Sequence, residues 1–177
     1  MDKLTQNLSQ YGAYHLSKKN VATHIVGVPL IVTSVILLFA RWQWSIAGLE
    51  MDFAQLMIVI SSIYYLSLDR VMGGILFLIL ISTAYLIQPL ADASLMIWLG
   101  STLGLFVVGW IIQFIGHAYE KMKPAFFDDL KGLLIGPMFV LAEIMFKLGY
   151  RPQLEKDITT QAVQIRRQLN ATSKHAV

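Results

Sequence analysis

No cysteine occurs in the 177 residues, which excludes disulfides, thiolate zinc sites, cysteine nucleophiles and covalent c-type haem attachment. Charge is also scarce: Asp, Glu, Lys and Arg make up 14% of the chain, against roughly 25% in soluble domains. The formal net charge is only +3, and the basic residues stand in short flanking segments rather than in one block. Nucleic-acid binding therefore has little basis, and anionic lipid headgroups are the expected counterpart. The polar first twenty residues are not followed by a short apolar core with a small-residue cleavage site, so no removable signal peptide is expected. The first apolar segment is read as an uncleaved anchor. With no thiolate available, any metal has to be held by His, Asp or Glu.

What the chain has in abundance is apolar surface. Hydrophobic residues make up 56% of it, and the mean hydropathy is positive. This is the composition of an integral membrane protein, and the length suits a single domain over 1–177. Apolar stretches run over 21–40, 53–68, 71–90, 95–117 and 132–150. Most approach the roughly 20 helical residues needed to cross a bilayer. The second and third are joined only by Asp69 and Arg70, which predicts a tight antiparallel helical hairpin. Trp42 and Trp44 have the position of interfacial anchors. Gly100 and Gly104 form a small-xxx-small pattern that reads as close helix packing within the chain, with a homodimer through the same face as the alternative.

The distribution of Lys and Arg decides the number of crossings. Four crossings put thirteen of these residues on one side and Arg41 alone on the other, whereas five divide them seven and seven. The expected fold is therefore an all-α polytopic membrane helix bundle with four transmembrane helices. The stretch 132–150 becomes a re-entrant or interfacial segment, in keeping with Pro137, Glu143 and the Glu143/Lys147 pair inside it. Segments 1–20 and 151–177 are then cytoplasmic. In the second of these, Leu154, Ile158, Ala162, Ile165 and Leu169 recur at helical spacing between Lys156, Arg166 and Arg167. That amphipathic helix lies either on the membrane surface or on the protein's own cytoplasmic face.

Four crossings bring His24, near the start of the first helix, and His117, at the end of the fourth, to the same cytoplasmic face. Trp110, Gln113, His117 and Glu120 form one stripe, and His117 and Glu120 at i,i+3 can share an ion. Asn20 and His24 share a face at i,i+4. His15, nine residues before His24, would point away on an unbroken helix. It joins the others only if the chain breaks between them, and Ser17-Lys18-Lys19-Asn20 supplies such a break, with Ser17 or Asn20 as helix N-cap. His175 lies too near the carboxyl end to be assigned. Imidazoles with a carboxylate suit Fe(II), Mn(II) or Zn(II). Spacing alone leaves the alternative open, in which these are metal-free histidines bonded to headgroups, Glu120 is a solvated charge, and Lys147 merely neutralises Glu143.

Tyr14-His15, Asn20, His24 and Pro29, followed by Gly109-Trp110, Gln113-Phe114-Ile115-Gly116-His117, Glu120, Pro124-Ala125 and Phe146-Lys147-Leu148-Gly149-Tyr150, resemble the Mpo family of membrane 2-hydroxy fatty acid dioxygenases. The likeness covers nearly the whole chain. It implies an iron(II)-dependent enzyme that uses dioxygen to shorten a long-chain 2-hydroxy fatty acid by one carbon, an alpha-oxidation. It also implies that His15, His24 and His117 are iron ligands, with Glu120 as a further ligand or catalytic group. Gln113 and Asn20 would orient a ligand or hold the substrate hydroxyl, and Lys18, Lys19, Lys121 or Lys123 would steer the carboxylate. A 2-hydroxy carboxylate can itself supply the electrons for cleaving its C1–C2 bond, so 2-oxoglutarate is not expected. The membrane would be the inner membrane in a bacterium or the endoplasmic reticulum in a eukaryote, where the family serves phytosphingosine breakdown. Two rivals stand beside this reading: a b-type haem electron-transfer protein with His24 and His117 as axial ligands, and a non-catalytic lipid-binding protein. Transport is less attractive, since neither inverted repeats nor paired broken helices are found.

Overall fold

The computed structural model describes residues 2–122, 124–125 and 131–175, and of residues 46 and 172–175 the backbone only. Among these residues are seven helices, α1 (Lys3–Gly12), α2 (Lys18–Ala40), α3 (Phe53–Leu68), α4 (Arg70–Ala91), α5 (Leu95–Glu120), α6 (Lys131–Lys147) and α7 (Pro152–His175). A two-stranded hairpin, β1 (Gln43–Ile46) and β2 (Leu49–Asp52), separates α2 from α3. The chain divides into two compact units, Met1–Ile25 with Gln113–Val177, and Val26–Ile112, the boundaries falling inside α2 and α5.

The unit 26–112 contains the expected helical hairpin. A single residue makes the turn: Asp69 is extended, ends α3, and accepts from the amides of Val71 and Met72 at 2.9 and 2.8 Å to cap α4. The helices then approach closely because position 73 has no side chain; a Cβ on Gly73 would lie 2.7 Å from the backbone of Tyr65 and Leu66. The β-hairpin was not expected from sequence. Its two-residue turn, Ala47-Gly48, has φ of 53° and 81°, the left-handed pair that a tight hairpin requires. Trp44 packs edge-on against Phe53, and half-exposed Trp42 against Trp98. Arg41 donates to the carbonyls of Ala91 and Ala93 at the end of α4, both at 2.9 Å, where the helix leaves acceptors unpaired.

Among the described residues three helices, α2, α4 and α5, are long and apolar enough to cross a membrane. The 16 residues of α3 rise about 24 Å, short of the roughly 30 Å hydrocarbon thickness. Length and composition alone therefore account for three of the four expected spans. Bulky apolar side chains such as Leu103, Val107 and Ile111 on α5 are exposed, as lipid-facing positions would be. Gly100 and Gly104 depart from the packing expectation. A Cβ at either would meet nothing within 4 Å, whereas Gly109 is the position held against another helix, by Ile31 and Gly27.

In the other unit, α1 buries Leu4, Leu8 and Gly12 on one face, and its start is capped by Asp2, which accepts from the amide of Thr5 at 2.7 Å. Both α6 and α7 pack on α1. The apolar stripe of α7 is used within the protein: Ile158 and Ala162 are buried, and Ile165 and Leu169 pack against Ala13, Tyr14 and Ala125. Of the two readings of this tail, the packed one is therefore observed. The segment expected to be re-entrant or interfacial is a continuous helix, α6, whose Ile135, Met138, Phe139, Leu141, Ala142 and Phe146 are buried. It stops at Gly149, where φ is 83° and the Tyr150 amide returns to the Met145 carbonyl at 3.0 Å.

The two adjacent glycines of α4 give a controlled test of the hairpin. Gly73→Ala should destabilise the protein by about 1–3 kcal/mol through overpacking, while Gly74→Ala, which meets open space, should be neutral or stabilising by up to about 1 kcal/mol. Thermal unfolding of both variants in one detergent separates them. Equal effects would mean that α3 and α4 do not meet at residue 73.

Candidate metal centre

Three imidazoles from three chain segments converge within the unit that joins Met1–Ile25 to Gln113–Val177. His24 sits in the second turn of α2, His117 in the last turn of α5, and His15 on the segment between α1 and α2. The chain does break between His15 and His24, but over 13–17 rather than at Ser17–Asn20 as expected: Lys18, Lys19 and Asn20 already lie in the first turn of α2, so Asn20 is not its N-cap. Gly12 is the last residue of α1, and Ser17 immediately precedes α2. One donor atom from each histidine lies within 4.8 Å of the others, and the residues are only 3%, 2% and 6% exposed for His15, His24 and His117. Ring centroids stand 4.3 to 5.1 Å apart.

Hydrogen bonds to main-chain carbonyls fix two of the tautomers. His15 Nδ1 lies 2.7 Å from the Tyr11 carbonyl and His24 Nδ1 lies 2.9 Å from the Asn20 carbonyl. A carbonyl oxygen only accepts, so each Nδ1 carries the proton and each Nε2 of the neutral ring presents a bare lone pair. Those two Nε2 atoms face each other at 3.0 Å. Two lone pairs at that distance repel unless a cation lies between them. A proton is disfavoured there, because desolvation first, and then the neighbouring His24, hold the His15 imidazole well below its usual range. A metal ion fits the donor set. Two nitrogens at adjacent positions of one ion, each about 2.1 Å from it, are separated by about 3 Å. The carbonyl partners on Nδ1 are those by which proteins orient metal-binding histidines. His117 adds a buried Nδ1 with no hydrogen-bond partner among the described residues.

Glu120, expected as a ligand, is not in the converging group. Its Oε1 accepts from Arg166 at 2.6 Å, and its Oε2 accepts from the Ser17 amide at 2.8 Å and from Asn20 Nδ2 at 3.2 Å. Asn20 and Gln113 are buried, and each has a side-chain oxygen, Oδ1 and Oε1, without a partner among the described residues. Gly116 lets α5 come this close to α2, since a Cβ there would run into Thr23 Oγ1 and lie 2.5 Å from Asn20 Oδ1. Glu143 stands outside the group, half-buried on α6, with its carboxyl raised above the usual range by desolvation. Of the lysines expected to steer a carboxylate, Lys19 lies over the Tyr119 ring at 5.0 Å, and Lys123 lies outside the described residues, as does the side chain of His175.

Two contacts were not foreseen. Tyr11 stacks on His15, centroids 4.1 Å apart and planes 9° from parallel, and it also lines a cavity of about 260 Å³ with Tyr14, Ile135, Ile165 and Leu169. The four-residue spacing from Tyr11 to His15 could have suggested the first. Arg166 was read only as a charge flanking an apolar stripe, and no local pattern connects it with Glu120, 46 residues away. The haem alternative is disfavoured. It needs His24 and His117 to face each other across a porphyrin, yet the His15 ring packs against both.

The depressed His15 pKa has a defined consequence for the metal-free protein. As pH falls, the unfolded chain takes the proton first, near pH 6.5. The stability gained by keeping the ring neutral is therefore complete above about pH 6.5 and lost below it, at no more than about 1.4 kcal/mol per pH unit for one such group. Denaturant titrations of metal-free protein between about pH 7.5 and 5.5 should show this decline, and His15→Gln should make it shallower. Parallel slopes would contradict the assignment.

The model of the family described as 2-hydroxy-palmitic acid dioxygenase Mpo1-like matches residues 1–148, which contain all three histidines. The 2-hydroxy-palmitic acid dioxygenase MPO1 of Saccharomyces cerevisiae is 34% identical over 157 residues, covering 86% of this chain and 85% of the yeast protein. No solved structure matches the chain. The buried triad thus lies in a chain that belongs to the Mpo1-like family of 2-hydroxy-palmitic acid dioxygenases.

Proposed function

We propose that the chain is a non-haem iron(II) dioxygenase of the membrane that shortens long-chain 2-hydroxy fatty acids by one carbon, an alpha-oxidation. The observation that carries this reading is the pair of Nε2 lone pairs of His15 and His24, 3.0 Å apart, with His117 beside them. Three neutral imidazoles would hold the ion without a protein carboxylate, leaving room for an anionic substrate and dioxygen. When bound, iron(II) would supply Lewis acidity toward the hydroxyl and carboxylate of the substrate and electrons toward dioxygen.

The remaining steps belong to the chain itself. The carbonyls of Tyr11 and Asn20 keep the Nδ1 protons in place, so the Nε2 atoms stay directed at the ion. Asn20 Nδ2 is committed to Glu120 and to the Tyr14 carbonyl, which leaves Oδ1 to accept the hydrogen of the 2-hydroxyl, and Gln113 Oε1 is a second acceptor of the same kind. Tyr11 covers one face of His15 and limits access of water. Lys18, Lys19 or Lys121 would attract the carboxylate from the membrane surface. The acyl tail would remain in the lipid phase. We assign four crossings with the histidines on the cytoplasmic side, in the inner membrane of a bacterium or the endoplasmic reticulum of a eukaryote. A second copy at the open Gly100–Gly104 face completes the reading.

Purified wild-type protein should contain about one iron per chain, show no Soret band, and consume dioxygen with a 2-hydroxy fatty acid while releasing the acid one carbon shorter. His117→Ala should lose the iron and lower turnover about a hundredfold or more. Elemental mass spectrometry beside the visible spectrum and a product assay decide the matter. Failure to bind transition metal after anaerobic addition of Fe(II) would sink the proposal, and a Soret band would redirect it to haem.

A further inference from the structure

The histidine with the least support from its own helix is His15, because it lies on the short connection 13–17 rather than on α1 or α2. The two ends of that connection are tied to one ion pair. Arg166 Nη1 donates to the Ala13 carbonyl at 2.7 Å, and its Nη2 donates to Glu120 Oε1 at 2.6 Å. The other oxygen of Glu120 accepts from the Ser17 amide at 2.8 Å. Asn20 Nδ2 adds a crosslink, donating to the Tyr14 carbonyl and to Glu120 Oε2. One guanidinium therefore fastens α7, the end of α5 three residues beyond His117, and both ends of the segment that carries His15.

We infer that Arg166 and Glu120 are positioning residues for the metal centre, acting as a clamp that holds His15 in register with His24 and His117. The inference rests on the metal reading above and assigns a role to α7, which lies beyond the residues 1–148 that the family model matches. It also explains why a carboxylate so near the histidines is not among the converging donors. Both of its oxygens are already occupied, and its side chain is only 3% exposed. Arginine suits the task because its planar fork reaches a carbonyl and a carboxylate at once, while lysine presents a single point charge. The apolar face of α7 fixes the fork in place: Ala162 and Leu169, about one turn before and one turn after Arg166, are packed inward.

The test is the affinity of the detergent-solubilised full chain for Co(II), read by visible absorption and by competition with a chelator, at a temperature where every variant is folded. Arg166→Met should weaken Co(II) binding about 10- to 100-fold and broaden the Co(II) bands, Arg166→Lys should fall between it and wild type, and exposed Arg167→Met should match wild type. Arg166→Met leaves a buried carboxylate without its partner and can fail to fold. The double variant Arg166→Met/Glu120→Gln removes that charge while keeping an acceptor for the Ser17 amide, and it should also bind Co(II) more weakly than wild type. A role confined to stability would lower the melting temperature and leave the affinity of the folded protein unchanged. Wild-type affinity in folded Arg166→Met or in the double variant overturns the inference, with the metal reading intact. No Co(II) or Fe(II) binding by wild type overturns both.

Discussion

Two imidazole nitrogens, each with its proton drawn to the far side of the ring by a main-chain carbonyl, are held 3.0 Å apart in a pocket from which water is nearly excluded. Much of the surrounding architecture maintains this arrangement. Buried lone pairs that face each other are unfavourable without a cation, and burial makes a proton a poor one. Three buried histidines so arranged could hold a metal ion, which is what the proposed function requires of them. Three neutral ligands would leave the charge of a bound ion for an anionic substrate to balance.

Several elements would otherwise have no evident reason to be where they are. The chain interrupts its helices at 13–17 because an unbroken run would turn His15 to the far side of His24. Gly116 has no side chain because α5 must come against Asn20 and Thr23 for His117 to arrive. On α7, a sparse apolar stripe and one arginine form part of the structure around the histidines rather than a loose tail. Stability and function overlap here, since the hydrogen bonds that satisfy buried polar groups also orient the donors.

Much of this was legible in the sequence because it depends on composition and period. Apolar runs, the tight hairpin at Asp69-Arg70 and the need for a break between His15 and His24 follow from helix geometry. The resemblance to a dioxygenase family rested on the same histidines that converge in the structure. What escaped depends on contacts between segments distant in sequence. Glu120 has the right spacing to share an ion with His117, but nothing local indicates that Arg166 takes its carboxylate. Gly100 and Gly104 match a packing pattern, yet Gly109 and Gly116, which match none, are the positions where helices touch. The β-hairpin at Ala47-Gly48 was hidden because its strands are only four residues each.

Whether His15, His24 and His117 together hold one metal ion is decided by iron K-edge X-ray absorption on anaerobic, Fe(II)-loaded protein, compared with the three single His→Gln variants. The wild type should show imidazole scattering from about three histidines, reduced by about one in any variant that still retains iron. A spectrum without imidazole outer-shell features, or one unchanged by all three substitutions, would contradict it.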